Sequence, residues 1–300
     1  MYFKVKDLYN RCFIDREKGV CMKIRELDKE LKLQNDGKLS LFFLGIGSAF
    51  SKLHYQNNLL IIKGNDSLLI DCGTVCPTAF YNYKSNIMNV RNLLVTHSHA
   101  DHIGGLEEAI LMGRYVSKVK PNIVITDEYK TSLWENSLKG GNAYCECNDG
   151  KFLEFEDFFE QIRPELISET PRPLYQVKIG SIDIKLFRTM HMPDNALSWR
   201  DSHLSYGVVI DERILFPSDT RFDLDMISWF YNKYPIEVIF HDCQFYTGGV
   251  HASYDELKRL PDGIKNKMYL CHYGDNFGNF TPEKDGFAGF AQQGCYYDFD

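Results

Sequence analysis

Three imidazoles and one carboxylate fall within six residues in the run Thr96-His97-Ser98-His99-Ala100-Asp101-His102. Core packing does not call for so many polar rings in so short a stretch. A metal centre does, because imidazole nitrogen and carboxylate oxygen are donors that Zn²⁺ accepts at about 2.0–2.2 Å. The run also sits at a structural junction. Leu93-Leu94-Val95 reads as the end of a buried strand, and Ile103-Gly104-Gly105 leads into a helix expected over 106–115. A donor cluster between a strand and a helix is braced on both sides.

The rest of the chain can support such a site. It has 300 residues, 44% hydrophobic and 25% charged, so a sizeable core is available for one large domain or two small ones. A formal net charge of −7 disfavours long nucleic acid as a partner, since that requires clustered Lys and Arg. The opening residues carry Lys4, Lys6 and Asp7 rather than an apolar signal core, and no apolar run approaches the about 18–20 residues of a membrane span. Nine cysteines, an odd number, with only Cys145 and Cys147 close together, predict a reduced, cytoplasmic protein.

Apolar periodicity gives the expected elements. Residues 1–39 form an N-terminal extension, charged and partly helical, with a helical stripe through Ile24, Leu27, Leu31 and Leu33. A domain over 40–300 follows. Leu41-Phe42-Phe43-Leu44, Leu59-Leu60-Ile61-Ile62 and Leu68-Leu69-Ile70 read as consecutive antiparallel strands, and 122–126 as another. Helices are expected over 127–138, 154–163 and 253–260, and a hairpin over 177–188 turning at Gly180-Ser181. Further strands cover 204–210, 213–216, 236–240 and 268–271, and the aromatic tail of Phe287, Phe290, Tyr296, Tyr297 and Phe299 reads as packing or subunit surface. Strands, then helices, then strands again predict two packed sheets with helices outside, an α/β (α+β) fold.

Several acidic and imidazole residues share one position, just past an apolar strand: Asp71, His191, Asp219 and His272. Side chains at strand ends project from one rim of a sheet and can converge on one point. With the 97–102 run they make up an ordered set that resembles the metallo-β-lactamase superfamily and its H-x-H-x-D-H signature, over roughly residues 40–275. The resemblance also takes in Gly45-Ile46-Gly47-Ser48, Ile70-Asp71-Cys72-Gly73 and Ser218-Asp219-Thr220. It implies a four-layer αββα sandwich and two divalent ions, Zn²⁺ by donor type, although Mn²⁺ and Fe²⁺ suit the same donors. By resemblance His97, His99 and His191 hold one ion, Asp101, His102 and His272 the other, Asp219 bridges them and Asp71 supports the signature loop. His203 competes with His191; the strand Tyr206-Gly207-Val208 that follows favours His191. Two ions about 3.5–4 Å apart can share a hydroxide formed near neutral pH.

Within that superfamily, His241-Asp242-Cys243 and His251-Ala252-Ser253 resemble two boxes of tRNase Z, in which a carboxylate orients a histidine that protonates the leaving oxygen. The resemblance implies His251 as general acid, Asp242 as its orienting partner and Asp101 within the catalytic centre. This chain has Asp at 242 where the box has Glu, a shorter arm. His241 reads as buried behind the site and His54 as a loop residue. Residues 139–175, the insert or lid between signature and third ligand, carry four basic and eight acidic residues, a net −4 that repels tRNA. Tyr55-Gln56-Asn57-Asn58 and Gly249-Val250-His251-Ala252-Ser253-Tyr254 instead resemble the anti-Pycsar phosphodiesterases, which open cyclic mononucleotides and are homodimers. The expectation is therefore a homodimeric phosphodiesterase for a small nucleotide. A tRNA 3′-processing endoribonuclease is the second reading, followed by a lactonase or lactamase and a metal-binding sensor without turnover.

Overall fold

In a computed structural model, residues 12–15 and 20–300 are described. Two large sheets face each other. The first has nine strands in the order Cys12–Asp15, Val20–Glu26, Cys295–Phe299, Leu39–Gly45, Asn58–Lys63, Asp66–Ile70, Asn92–Leu94, Asn122–Val124 and Glu160–Ile162. The second has eight: Glu165–Ser168, Leu174–Ile179, Ile182–Arg188, Tyr206–Ile210, Ile214–Ser218, Val238–Asp242, Met268–Cys271 and Gly289–Phe290. Strands such as Asn58–Lys63 are buried on both faces, which is why their sequence is a continuous apolar run rather than an alternation.

Aromatic rings fill the space between the sheets. Phe43 of the first sheet lies 4.8 Å from Phe240 of the second, and Phe240 lies 4.9 Å from Tyr297. Helices cover the outer faces: Phe230 of helix Leu224–Lys233 stacks 4.1 Å from Phe187 behind the second sheet. The expected αββα sandwich is present. Among the described residues no helix is long and apolar enough to cross a membrane, and Cys72, Cys76, Cys145, Cys147, Cys243, Cys271 and Cys295 are free thiols.

Two expectations change. The stripe around 24–33 is not helical: Val20–Glu26 is a strand paired to Cys295–Phe299, with Ile24 opposite Tyr297, and the chain beyond it runs on irregularly with Leu31 buried. The aromatic tail supplies that strand's partner from the far end of the chain, and backbone pairing outweighs a weak local helix preference. Expectations for residues 1–11 and 16–19 lie outside the described residues. The helix expected over 154–163 is one turn, Phe155–Phe158, after which Glu160–Ile162 pairs in parallel with Asn122–Val124. An open sheet edge offers 159–163 ladder partners, and Pro164 disfavours continued helix. The tail itself is interior: Tyr297 and Phe299 are buried.

Candidate metal centre

Strand direction explains why distant residues meet. Asp66–Ile70 and Asn92–Leu94 are parallel neighbours, so Asp71 and the 97–102 loop leave the first sheet at the same rim. In the second sheet Ile214–Ser218, Val238–Asp242 and Met268–Cys271 are mutually parallel, and Ile182–Arg188 runs the same way two antiparallel steps on. Their C-terminal ends carry Asp219, Asp242, His272 and His191. Three residues at these ends, Asp71, Ser218 and His272, adopt left-handed backbone with φ of 64°, 56° and 53°. Non-glycine residues are uncommon there, and such strain concentrates at functional sites.

The donors form three groups that share Asp219: two are the expected ligand sets, and the third, Asp219, Asp242, His251 and His272, takes in the Asp242–His251 pair. In the first, His99 Nδ1 lies 3.0 Å from His97 Nε2 and 3.2 Å from His191 Nε2, and Asp219 Oδ2 lies 3.7 and 3.9 Å from those two Nε2 atoms. In the second, His102 Nε2 lies 3.3 Å from Asp101 Oδ2 and 3.2 Å from Asp219 Oδ2, and His272 Nε2 lies 3.1 and 3.4 Å from the same oxygens. Four ligand atoms in a tetrahedron about 2.0–2.1 Å from a Zn²⁺ ion would be about 3.3–3.4 Å apart. Most of the observed edges fall close to that value.

The outer ring nitrogens set the inner ones. His102 Nδ1 donates to Asp71 Oδ2 at 2.7 Å, and His191 Nδ1 donates to Val250 O at 2.9 Å. Thr96 Oγ1 donates to Asp71 Oδ2 at 2.9 Å and receives Ser218 Oγ at 3.1 Å, so it accepts His97 Nδ1 at 3.1 Å. The Nε2 atoms of His97, His102 and His191 therefore present bare lone pairs to the centre. One N–H on His99 cannot satisfy both facing lone pairs, and buried Asp219 Oδ1 has no hydrogen-bond partner. These are the signs of donors arranged around cations. Thr96 and Ser218 belong to this bracing and were not singled out by sequence; their positions next to His97 and Asp219 are the signal.

Burial and charge agree with that arrangement. Burial holds His97 well below its usual pKa, aided by neighbouring imidazoles, and brings His191 down to about 4, so both are neutral and able to ligate. Burial opposes charge on His102, yet Asp219, Asp101 and Asp71 together push its pKa well up, so its Nε2 carries a proton unless a cation beside these carboxylates takes that proton's place. Asp101 and Asp219 face this centre and Asp71 lies behind His102; these three buried carboxylates call for positive charge, which divalent ions supply.

His251 is placed beside both ligand sets, its ring centroid 5.1 Å from that of His191 and 4.8 Å from that of His272. Its Nδ1 lies 2.9 Å from Asp242 Oδ2, so the shorter Asp arm reaches. Burial lowers the pKa of His251, but the Asp242 hydrogen bond and the Asp219 charge outweigh it and the net shift is upward. His241 is buried, with Nδ1 2.8 Å from Asp242 O, and belongs to none of the three donor groups. His203 is exposed in the 192–203 loop and belongs to no donor group, and His54 packs against Tyr273 and Phe277.

Fold and centre together define a protein of the metallo-β-lactamase fold with a candidate metal centre at the meeting sheet rims. Solved structures agree on the fold. YhfI from Bacillus subtilis, a metallo-β-lactamase fold protein, superposes with a TM-score of 0.61 at 17% identity, covering 87% of this chain and 99% of that one. Short-form human tRNase Z gives 0.53 at 17% identity, with 79% and 93% covered. The chain belongs to the family described as Anti-Pycsar protein Apyc1, which matches residues 39–297. The Anti-Pycsar protein Apyc1 of Bacillus phage BSP38 is 38% identical over 262 residues, 85% of this chain and 96% of that protein.

Proposed function

We propose that the chain is a two-metal phosphodiesterase that hydrolyses a small phosphodiester, a cyclic mononucleotide, with His251 as general acid. The observation that carries this reading is the Asp242–His251 pair at 2.9 Å, set beside two donor groups that share Asp219. His97, His99 and His191 would hold one divalent ion, Asp101, His102 and His272 the other, and Asp219 would touch both. Bound there, the ions would supply Lewis acidity toward phosphoryl oxygens and make water more acidic.

The chain's own residues supply the rest. Hydrolysis adds water across one P–O bond, and the departing alkoxide leaves poorly unless it is protonated. With Nδ1 committed to Asp242, His251 has its transferable proton on Nε2. The upward pKa shift keeps that proton available near neutral pH. Lactam and ester hydrolysis at activated carbonyls have less need of this acid, which favours the phosphodiester.

Substrate size is argued from the surroundings. The acidic 139–175 segment, net −4, disfavours tRNA. Loops leading from the donors carry strongly exposed apolar side chains: Phe50 and Leu53 on the loop bound to Asp275, Leu197 after His191, and Tyr246 before His251. Such groups suit the flat face of a nucleobase. The family resemblance supplies the cyclic mononucleotide and the homodimer. The test is a screen of cyclic and linear nucleotides and a pre-tRNA, with metal content and light scattering measured on the same sample. Turnover of cyclic mononucleotides by a metal-loaded dimer is expected; pre-tRNA cleavage without it would replace this reading with the endoribonuclease.

A further inference from the structure

The segment 71–75 has a hydrogen-bond pattern that the centre alone does not explain. Its backbone N–H groups are shared between two sides. Asp71 N donates to Leu94 O at 2.8 Å, Cys72 N to His102 O at 2.7 Å and Thr74 N to Ala100 O at 3.2 Å, all on the signature loop or the strand that leads to it. The other two point the opposite way, Gly73 N to Asn58 Oδ1 at 2.7 Å and Val75 N to Gln56 Oε1 at 3.2 Å. Asn58 is buried, and its Nδ2 donates to Gln56 O at 2.6 Å, tying the two residues together. The segment is wedged against the signature loop: a Cβ on Gly73 would come 2.0 Å from Asp101 O.

We infer that Gln56 and Asn58 are positioning residues for the metal centre, selective for the ion held by Asp101, His102 and His272. They fix the outer side of the 71–75 segment. The segment's inner side fixes His102 twice, through Cys72 N on its carbonyl and Asp71 Oδ2 on its Nδ1. The first donor group depends on this segment less directly: the segment reaches His97 only through Thr96, whose N and Oγ1 donate to Asp71, and His191 is held by Val250 O. Removing either amide leaves an N–H without its acceptor, buried at Gly73 and part-buried at Val75, and lets the segment shift, and His102 shifts with it. The inference rests on the two-metal reading above.

The experiment is a chelator competition on the Zn²⁺-loaded full chain, with metal per chain by atomic emission and thermal stability on the same samples. Asn58→Ala and the less buried Gln56→Ala are expected to release one ion at about tenfold lower chelator concentration while the other is retained, the size typical of outer-sphere partners. Asn58→Asp keeps an oxygen acceptor and is expected to recover most of the affinity. Asn142→Ala, buried and bonded to Leu138 O at 2.7 Å far along the chain, is the control for lost stability alone. Wild-type affinity for both ions in Asn58→Ala and Gln56→Ala, or equal weakening of both, overturns the inference. A wild-type chain that binds no ion overturns the two-metal reading and the inference with it.

Discussion

The two rims that meet at the centre are built differently. The first-sheet rim gathers His97, His99, Asp101 and His102 on one short loop and locks it by backbone hydrogen bonds to 71–75. The second-sheet rim gives one residue per strand end, His191, Asp219 and His272, drawn from stretches far apart in sequence. The first half is local and rigid, and its error in placement is set by one loop. The second half is assembled by the sheet, and its accuracy depends on strand register. The acid His251 comes with the second half, on a loop ending in Ala252 N→Thr220 O, so the chemistry is mounted on the assembled side.

If the second rim joins the two donor groups, Asp219 is where the comparison is most easily broken. Asp219→Ala removes the only carboxylate common to both groups. The expected outcome is loss of both ions by atomic emission and activity at background. Retention of either ion at wild-type affinity would show that the groups are independent.

Next in size is His251→Ala. A general acid contributes about 10²–10⁴-fold, and that loss should appear with an alkoxide leaving group and largely vanish with a nitrophenolate. Equal slowing of both would assign His251 to structure. On the first rim, Asp71→Asn keeps the shape but weakens the acceptor for His102 Nδ1. A loss of about 10–100-fold in metal affinity is expected, read by the same chelator competition.

A pH profile separates the rims further. The proposed acid must be protonated, and Asp242 raises the pKa of His251, so activity is present below that raised pKa and falls as pH climbs through it. Asp242→Asn removes that support. The alkaline limb of kcat should then move to lower pH, with metal content unchanged. A limb that stays in place would detach Asp242 from the acid.

The same contrast governs what could be read from the sequence. The signature loop is legible because its donors are adjacent. The strand-end residues are legible because core packing gives an apolar run no reason to end in His or Asp. The αββα layering follows from the order of such runs. What stayed hidden depended on partners distant in sequence. Val20–Glu26 is a strand only because Cys295–Phe299 lies beside it, and 159–163 leaves its helix only because the Asn122–Val124 edge is open. Thr96 and Ser218 brace His97 through a shared hydroxyl contact, which no spacing rule encodes.

The smallest expected effect concerns the loops outside the second rim. Tyr246 sits on the loop before His251, 66% exposed, with its carbonyl held by Gln244 Nε2 at 3.0 Å. Tyr144 is similarly exposed at 61% but packs its ring 4.8 Å from Phe152, on a hairpin remote in sequence from any donor. If Tyr246 rests against the base, Tyr246→Ala removes contact present equally in ground and transition states. KM for a cyclic mononucleotide should then rise about fivefold or more with kcat unchanged, consistent with about 1–3 kcal/mol for a stacked base. Tyr144→Ala should leave both constants alone. Equal responses from the two variants would mean that exposed aromatic surface, rather than its place beside the acid, sets substrate affinity.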